Sequence, residues 1–387
     1  MQVRTDCRHF PGDRPCTYHK RTGIDCSQCD RYSPRGERIL IVKFDALGDV
    51  LRTTCVLPSL KRKYPRSYIT WITSPDTRAL FEGNRMVDEV MTSSSIYIPA
   101  VLSRRFDVVI NPDTSIRSSQ IATIANAESY YGYAVNPSAE VVPLNAAAEA
   151  WLEMGASDKA KRANRKTYQR IIHEICELDP AGQRIVLGLT DRETAAQGDL
   201  AAEIGIQPGR PVVGMNTGAG LRWKNKRWRS DRWVELVSML RRETDAQVVL
   251  LGGVAEAETN AGIASDFETD VFDPGPRGLR EFICIVGLCD VVVTGDTMAL
   301  HVAAGLGKRV VALFGPTSAA EIDLYGRGTK IVTALDCACC YRRRCDVRPG
   351  CMDVIEAPEV FAAVMENLER KRGKSPEEYE MVGEPGR

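Results

Sequence analysis

The sequence predicts two doubly wound α/β domains behind a small cysteine-rich appendage, and three observations predict it. Short β-branched runs alternate with helix-length segments in two successive series. A Pro/Gly-rich break, Gln207-Pro208-Gly209-Arg210-Pro211, separates the two series. The first 36 residues hold four cysteines and show neither helical nor alternating apolar periodicity. The boundaries that follow are 1–36 for the appendage, 37–205 and 206–357 for the two domains, and 358–387 for a last helix and tail. A length of 387 residues suits this division at roughly 150 residues per domain.

Composition removes several function classes. Fifty-one basic residues balance 51 acidic ones, and 44% of the chain is hydrophobic, as in ordinary globular proteins. A disordered chain is excluded, and no global basic footprint points to nucleic acid. No apolar run reaches the roughly 18 residues that span a bilayer, and the N-terminus carries no signal-like apolar stretch. The expectation is a cytoplasmic protein. Thirteen cysteines are odd there, because cytoplasmic thiols stay reduced unless metal or redox chemistry uses them.

The elements follow in order. Residues 1–36 read as a loop-rich piece. Ile39-Leu40-Ile41-Val42 is a strand, and Leu47-Gly48-Asp49 opens an amphipathic helix through Leu60. Ile69–Thr73 and Val108–Asn111 are further strands, and 145–200 turns polar and helical with six basic residues from Lys159 to Arg170. Past the break, Val212–Asn216, Gln247–Leu251, Val291–Thr294 and Val310–Phe314 read as buried parallel strands with helices between them. Pro358–Arg370 is a closing helix, and the Glu/Pro/Gly tail is expected to be disordered. Chemistry in such folds sits at the carboxyl ends of the strands.

Four strand-to-helix turns could carry it. In Lys43-Phe44-Asp45-Ala46-Leu47-Gly48-Asp49, the carboxylate of Asp49 either caps the helix or serves as a general base. Asn216-Thr217-Gly218-Ala219-Gly220 precedes six basic residues from Arg222 to Arg232 and two tryptophans, a pattern that suits a phosphate clamp or a solvated charged face. Gly252-Gly253-Val254-Ala255-Glu256 offers an acid for ribose hydroxyls, or a helix-start carboxylate. Gly295-Asp296-Thr297-Met298-Ala299 leaves backbone amides at a helix start, a ready diphosphate site, and His301 follows within that helix.

Taken in this order, the motifs resemble glycosyltransferase family 9, the ADP-heptose:lipopolysaccharide heptosyltransferases, over about residues 38–370. Its most specific pieces here are the Leu-Gly-Asp-Val turn, Lys226-Arg227-Trp228, Gly295-Asp-Thr…His-Val-Ala-Ala and Val311-Ala-Leu-Phe-Gly-Pro-Thr317. The resemblance implies a GT-B fold, two Rossmann-like domains facing a central cleft, with acceptor on the first and nucleotide-sugar on the second. It implies inverting transfer of heptose from ADP-L-glycero-β-D-manno-heptose to a lipopolysaccharide-core acceptor (Kdo- or heptose-bearing lipid A). Asp49 would be the base, no divalent ion would take part, and the enzyme would meet the inner face of the cytoplasmic membrane peripherally. Donor contacts fall on Thr217, Lys226, Glu256, Asp296, Thr297, Met298, Ala299 and His301. The loop between Thr217 and Lys226 is longer than in compact members, so Arg222 and Lys224 join the candidates. Arg52, Arg62 and Arg117 are candidates for an anionic acceptor. Two other readings are transfer to a protein acceptor of the autotransporter type, and a non-catalytic metal-binding protein on the same scaffold.

Nine cysteines form two clusters, Cys7, Cys16, Cys26 and Cys29 at the start and Cys337, Cys339, Cys340, Cys345 and Cys351 near the end. Four thiolates so spaced suit a structural tetrahedral zinc or iron site, above all in the first cluster, where a piece this small needs a staple. Cys337, Cys340, Cys345 and Cys351 form a second candidate set in which metal and plain reduced thiols stay equally open. Cys55, Cys176, Cys284 and Cys289 read as buried thiols.

Overall fold

A computed structural model describes residues 3–372 except Asp45, 93–97, Ala181, Gln183, Leu221 and Arg222. The tail beyond 372 and the candidate Arg222 lie outside the described residues. Contacts gather the chain into two units, 1–160 with 166–188, and 161–165 with 189–387.

Among the described residues, twelve strands form two six-stranded sheets. In the first unit they are β1 (Arg38–Val42), β2 (Tyr68–Thr73), β3 (Glu89–Thr92), β4 (Arg105–Asn111), β5 (Asn126–Val135) and β6 (Val141–Pro143). Their order is β3-β2-β1-β4-β5-β6, parallel except for the antiparallel β5–β6 edge. In the second unit they are β7 (Val212–Asn216), β8 (Gln247–Leu251), β9 (Val271–Phe272), β10 (Val291–Gly295), β11 (Arg309–Phe314) and β12 (Gly328–Val332), in the order β12-β11-β10-β7-β8-β9. Each unit therefore has the doubly wound order in which the winding reverses beside its first strand. Two Rossmann-like α/β units are what the alternating pattern predicts.

The strands read as continuous apolar runs because helices cover both faces. Ile39 to Val42 and all of β7, β8 and β10 are buried. The core of the second unit centres on Trp233, Leu236, Val237 and Leu240 against β7, β8 and β10. The Ala357–Arg372 helix adds Val360 and Val364 to the same core, so it is an integral layer of that unit. Cys55, Cys176 and Cys289 are wholly buried thiols, and burial pushes Cys176 and Cys289 up to about 12. Among the described residues no helix is long and apolar enough to cross a membrane.

The break between units falls at Gly188/Leu189, earlier than the expected 205/206. The Pro/Gly cluster at 207–211 is only the turn into β7. The helices Asp191–Ala195 and Gln197–Ile204 belong to the second unit, where Gln197 Nε2 donates to Cys284 O at 3.1 Å. Arg280 Nε donates to Glu193 Oε1 at 2.8 Å, and Glu193 also caps its own helix through the Thr190 amide at 2.7 Å. The Arg280 hydrogen bonds, with the Thr190 cap, hold the Glu193 carboxyl down at about 2. A carboxyl depressed in this way stabilises the fold above its ordinary value of 4.5, and loses that contribution as the pH falls toward 2. Glu193→Gln is expected to cost about 2 kcal/mol at neutral pH. In urea unfolding at a series of pH values, the gap to the wild type should close below pH 4.5.

Candidate functional site

In the first unit the winding reverses between β1 and β4, and the turns after both strands carry charge. Lys43, buried at the end of β1, lies 3.5 Å from Asp113 after β4. Asp113 also accepts the Phe44 amide at 3.4 Å and the Ser115 amide at 3.2 Å. Asp49 sits in the first turn of the Leu47–Thr53 helix, its side chain 40% exposed. It accepts the Ala46 amide at 3.4 Å, as a capping carboxylate does, and meets Arg52 at 2.8 Å. The Arg52 guanidinium lies 3.6 Å from the centre of the buried Tyr168 ring, whose hydroxyl bonds Thr53 at 2.7 Å. Arg52 is thus the fixed partner of Asp49, with a stacking face that leaves it little freedom.

Arg117 joins this edge, 5.1 Å over the Phe44 ring. Arg62 does not. It lies near the end of the Val56–Lys63 helix and donates to Ser59 Oγ at 3.1 Å. Its neighbour Lys61 reaches Ser67 O at 2.9 Å, beside the start of β2. Asp49 lies in the first turn of the Leu47–Thr53 helix and Arg62 in the last turn of the following Val56–Lys63 helix, which leads back to the start of β2 at the opposite end of the strands. The basic stretch 52–66 is therefore split between the two edges of the sheet.

In the second unit the reversal lies between β7 and β10, and three turns converge there. Asn216 closes β7 and donates to Gly218 O at 2.9 Å and to Thr297 Oγ1 at 3.3 Å. Thr217 Oγ1 donates to Asn260 Oδ1 at 2.5 Å. Lys226 Nζ meets Asp296 Oδ2 at 2.8 Å and Asp296 O at 3.0 Å, locking the Lys224–Lys226 turn to the end of β10. Thr297 starts the Met298–Gly305 helix, yet makes no side-chain cap. Its hydroxyl is instead 3.0 Å from Thr294 Oγ1, so the amides of Met298 and Ala299 begin the helix without a capping oxygen from Thr297. His301 is buried one turn into the helix.

Glu256 is 8% exposed and ties two glycine turns together. It accepts the Gly220 amide at 3.2 Å and the Gly253 amide at 3.0 Å, with Arg227 3.9 Å away. Its role as a carboxylate of the helix start is the one the geometry displays.

Of the basic run after the turn, only part faces the site. Arg229 pairs with Asp231, and Arg232 with Glu235 and Glu356. Lys224 is exposed. Trp228 is a core residue, edge-on to Trp233 at 4.8 Å, with its indole nitrogen donating to Ile355 O at 2.9 Å. Trp223 remains at the site, its ring 5.3 Å from Lys226 Nζ and 5.9 Å from Arg343.

The second cysteine cluster belongs to the same edge, which sequence reasoning missed. Cys339 N donates to Gly315 O at 3.1 Å and Tyr341 N to Pro316 O at 2.8 Å. Asn225 donates to Arg342 O at 3.0 Å. The segment thus covers the turn after β11 and braces the lysine turn. Burial and the neighbouring thiols of Cys340, Cys337 and Cys345 raise Cys351 to about 11. Among the described residues, however, no group of three or more His, Cys, Asp or Glu side chains is placed to hold a metal ion. The structure thus lends no support to the tetrahedral site expected at Cys7, Cys16, Cys26 and Cys29, nor to the second at Cys337, Cys340, Cys345 and Cys351. The C-terminal segment is held in place by the backbone hydrogen bonds at Cys339, Tyr341 and Arg342. The pairing of Lys43 with Asp113 was also missed: Lys43 opens the Asp49 motif, but nothing in the spacing links it to an acid 70 residues on.

Glycine is required where Glu256 packs. A Cβ on Gly218 would fall 2.0 Å from Glu256 Cγ, whereas one on Gly262 would meet nothing within 4 Å. Gly218→Ala is expected to displace Glu256 and cost about 1–3 kcal/mol in urea unfolding. Gly262→Ala, within the Ala257–Ser265 helix, should be neutral or slightly stabilising.

Comparison with known proteins agrees with this geometry. The model of the family described as "Glycosyltransferase family 9 (heptosyltransferase)" matches residues 98–349. Lipopolysaccharide heptosyltransferase 2 of Salmonella typhimurium is 22% identical over 306 residues, 73% of this chain and 83% of the relative. A glycosyl transferase of family 9 from Veillonella parvula superposes with a TM-score of 0.71 at 18% identity, covering 86% of this chain and 98% of that one. The E. coli ADP-heptose lps heptosyltransferase II gives a TM-score of 0.65 at 19% identity, over 87% and 100% of the two chains.

Proposed function

The chain belongs to glycosyltransferase family 9 and is a glycosyltransferase, and from that premise we propose that it moves a heptose from ADP-L-glycero-β-D-manno-heptose to a hydroxyl of a lipopolysaccharide-core acceptor. The observation that carries this reading is the convergence of Lys226, Asp296 and the helix start at Thr297 on the reversal between β7 and β10. Fixed cationic and amide donors at such a crevice suit a diphosphate. The names of similar heptosyltransferases supply the sugar and the lipid acceptor.

In the proposed reaction the acceptor hydroxyl attacks the anomeric carbon as the bond to the diphosphate breaks, and the centre inverts. Asp49 takes the hydroxyl proton. Arg52 and Tyr168 hold its carboxylate in place, and Arg117 meets anionic groups of the acceptor on the same edge. On the donor side, Lys226 leaves Asp296 for the diphosphate, whose growing charge is also met by Thr217 and the amides of Thr297, Met298 and Ala299. Asp296 is then free to take a hydroxyl of the sugar. Glu256 keeps the glycine turn in shape and offers its remaining lone pairs to the ribose, and His301 supports the helix start from below. The lysine and amides do the work for which other transferases recruit a divalent ion. The acceptor is lipid-borne, which places the work at the inner face of the cytoplasmic membrane.

Asp49→Asn should lower turnover by about 10²–10⁴-fold while ADP-heptose binding stays unchanged by calorimetry. Lys226→Met should weaken ADP binding and lower turnover by about 10²-fold or more. Activity should persist in EDTA. Acceptor arms with a Kdo-lipid A, a heptosylated core and an autotransporter peptide separate lipid from protein transfer. Absence of turnover with every acceptor, together with absence of donor binding, would overturn the enzymatic reading of this chain.

A further inference from the structure

The four N-terminal cysteines have no part in the transfer chemistry, yet all four line one cavity. It measures about 290 Å³, and Cys7, Cys16, Cys26 and Cys29 all contribute to its wall. The piece that encloses it has no core of its own. Between Val3 and Arg38 not one described residue is buried, although a helix (Thr17–Thr22), a 3-10 turn (Cys26–Gln28) and a bridge from Cys7 to Pro34 are in place. A segment this short, with no apolar core, holds a shape only through a cross-link or a bound group. All four cysteines are free thiols.

The size of the cavity decides what that group is. A single tetrahedral ion needs four sulfurs each about 2.3 Å from one point, which leaves no space between them. No three of these side chains approach one another in that manner. The four cysteines instead share the wall of a volume of about 290 Å³, room for a ligand of several atoms. We propose that Cys7, Cys16, Cys26 and Cys29 ligate a polynuclear iron–sulfur cluster in this cavity. Four cysteine thiolates are the usual ligand set for such a cluster, whose inorganic core holds the sulfurs well apart.

The surroundings agree with a thiolate-bound, anionic group. Arg4, Arg14 and Arg31 line the cavity, Arg14 paired with Asp13 and Arg31 with Asp30 at its exposed rim, and Arg4 over the Tyr32 ring. The His19 amide points at Cys16 Sγ at 3.5 Å, the kind of N–H···S contact that favours a thiolate and tunes a cluster. The cavity is also anchored to the transferase body. Arg8, next to Cys7, donates to Arg66 O at 2.9 Å and pairs with Asp88 at 3.3 Å. Arg35 donates to Phe10 O at 2.9 Å and stacks on Tyr68 of β2 at 4.7 Å.

The test uses the full chain purified under argon and reconstituted with ferric iron, dithiothreitol and sulfide. Iron and acid-labile sulfide should bind in equal amounts, with a broad visible absorption that dithionite bleaches. The double variant Cys16→Ser/Cys26→Ser should lose at least tenfold of both, whereas Cys337→Ser/Cys340→Ser should retain them. A readout that needs no variant is alkylation mapped by mass spectrometry. Iodoacetamide should spare Cys7, Cys16, Cys26 and Cys29 in the reconstituted wild type and modify them after the cluster is stripped. Bound zinc without sulfide, two disulfides among these four cysteines, no bound metal, or sulfide lost from the Cys337/Cys340 variant instead would each overturn the proposal.

Discussion

The reversal of winding beside β7 is the constraint on which the site depends. Right-handed crossovers send the chain to opposite faces of the sheet from β7 and from β10, although those strands are neighbours. The loops leaving their carboxyl ends part and open a crevice floored by backbone. Four polar residues of the second unit's site are fixed across that crevice. Asn216 leaves β7 and grips Thr297 beyond β10, and Lys226 crosses the gap to reach Asp296. The first unit repeats the arrangement between β1 and β4, where Lys43 and Asp113 bridge the gap and Asp49 stands in the following helix. One topological rule, applied twice, therefore places Asp49 at one reversal and the Lys226–Asp296 pair at the other, the positions proposed above for the base and the phosphate cradle.

Within that frame, the candidate site is a set of internal pairs, which under the proposed function a ligand would displace. Lys226 is held by Asp296, Asp49 by Arg52, and Glu256 by two amides. Each pair keeps a partly buried charge compensated, which matters because an unpaired charge in such a place costs several kcal/mol. It also means that a ligand competes with protein groups and exchanges partners on arrival. Specificity then rests on whether the incoming oxygens replace the lost contacts with equal geometry.

The strands were legible in the sequence because parallel strands covered on both faces are apolar throughout, and β1, β7, β8, β10 and β11 announce themselves so. The short edge strands β3, β9 and β12 have half-exposed side chains and gave no such pattern. The glycine turns were legible as motifs, but not their partners. Nothing in the spacing says that Glu256 serves Gly218 and Gly220, 36 residues upstream of it at the nearest hydrogen bond. Trp228 and Arg232 were drawn to the site by proximity in sequence, and the fold turned one into the core and the other toward Glu356. Arg62 failed in the same manner, since two helices carry the chain from one edge of the sheet to the other. Local charge density is a property of the chain, whereas a binding face is a property of the fold.

Asp88 carries a wider consequence than its place between β2 and β3 suggests. Its carboxylate accepts from Arg8 of the appendage, from Lys61 of the Val56–Lys63 helix, and from the Ile69 amide of β2 at 2.9 Å. A foothold that already served the sheet has thus been shared with the added piece. Such a graft adds its own cation and no new acid to the host. Removing the appendage would leave Lys61 and the Ile69 amide still bonded to Asp88, so this acid's older contacts do not depend on the added piece. At Asp88, the cysteine module is thus a guest on a carboxylate that would keep its other two partners without it.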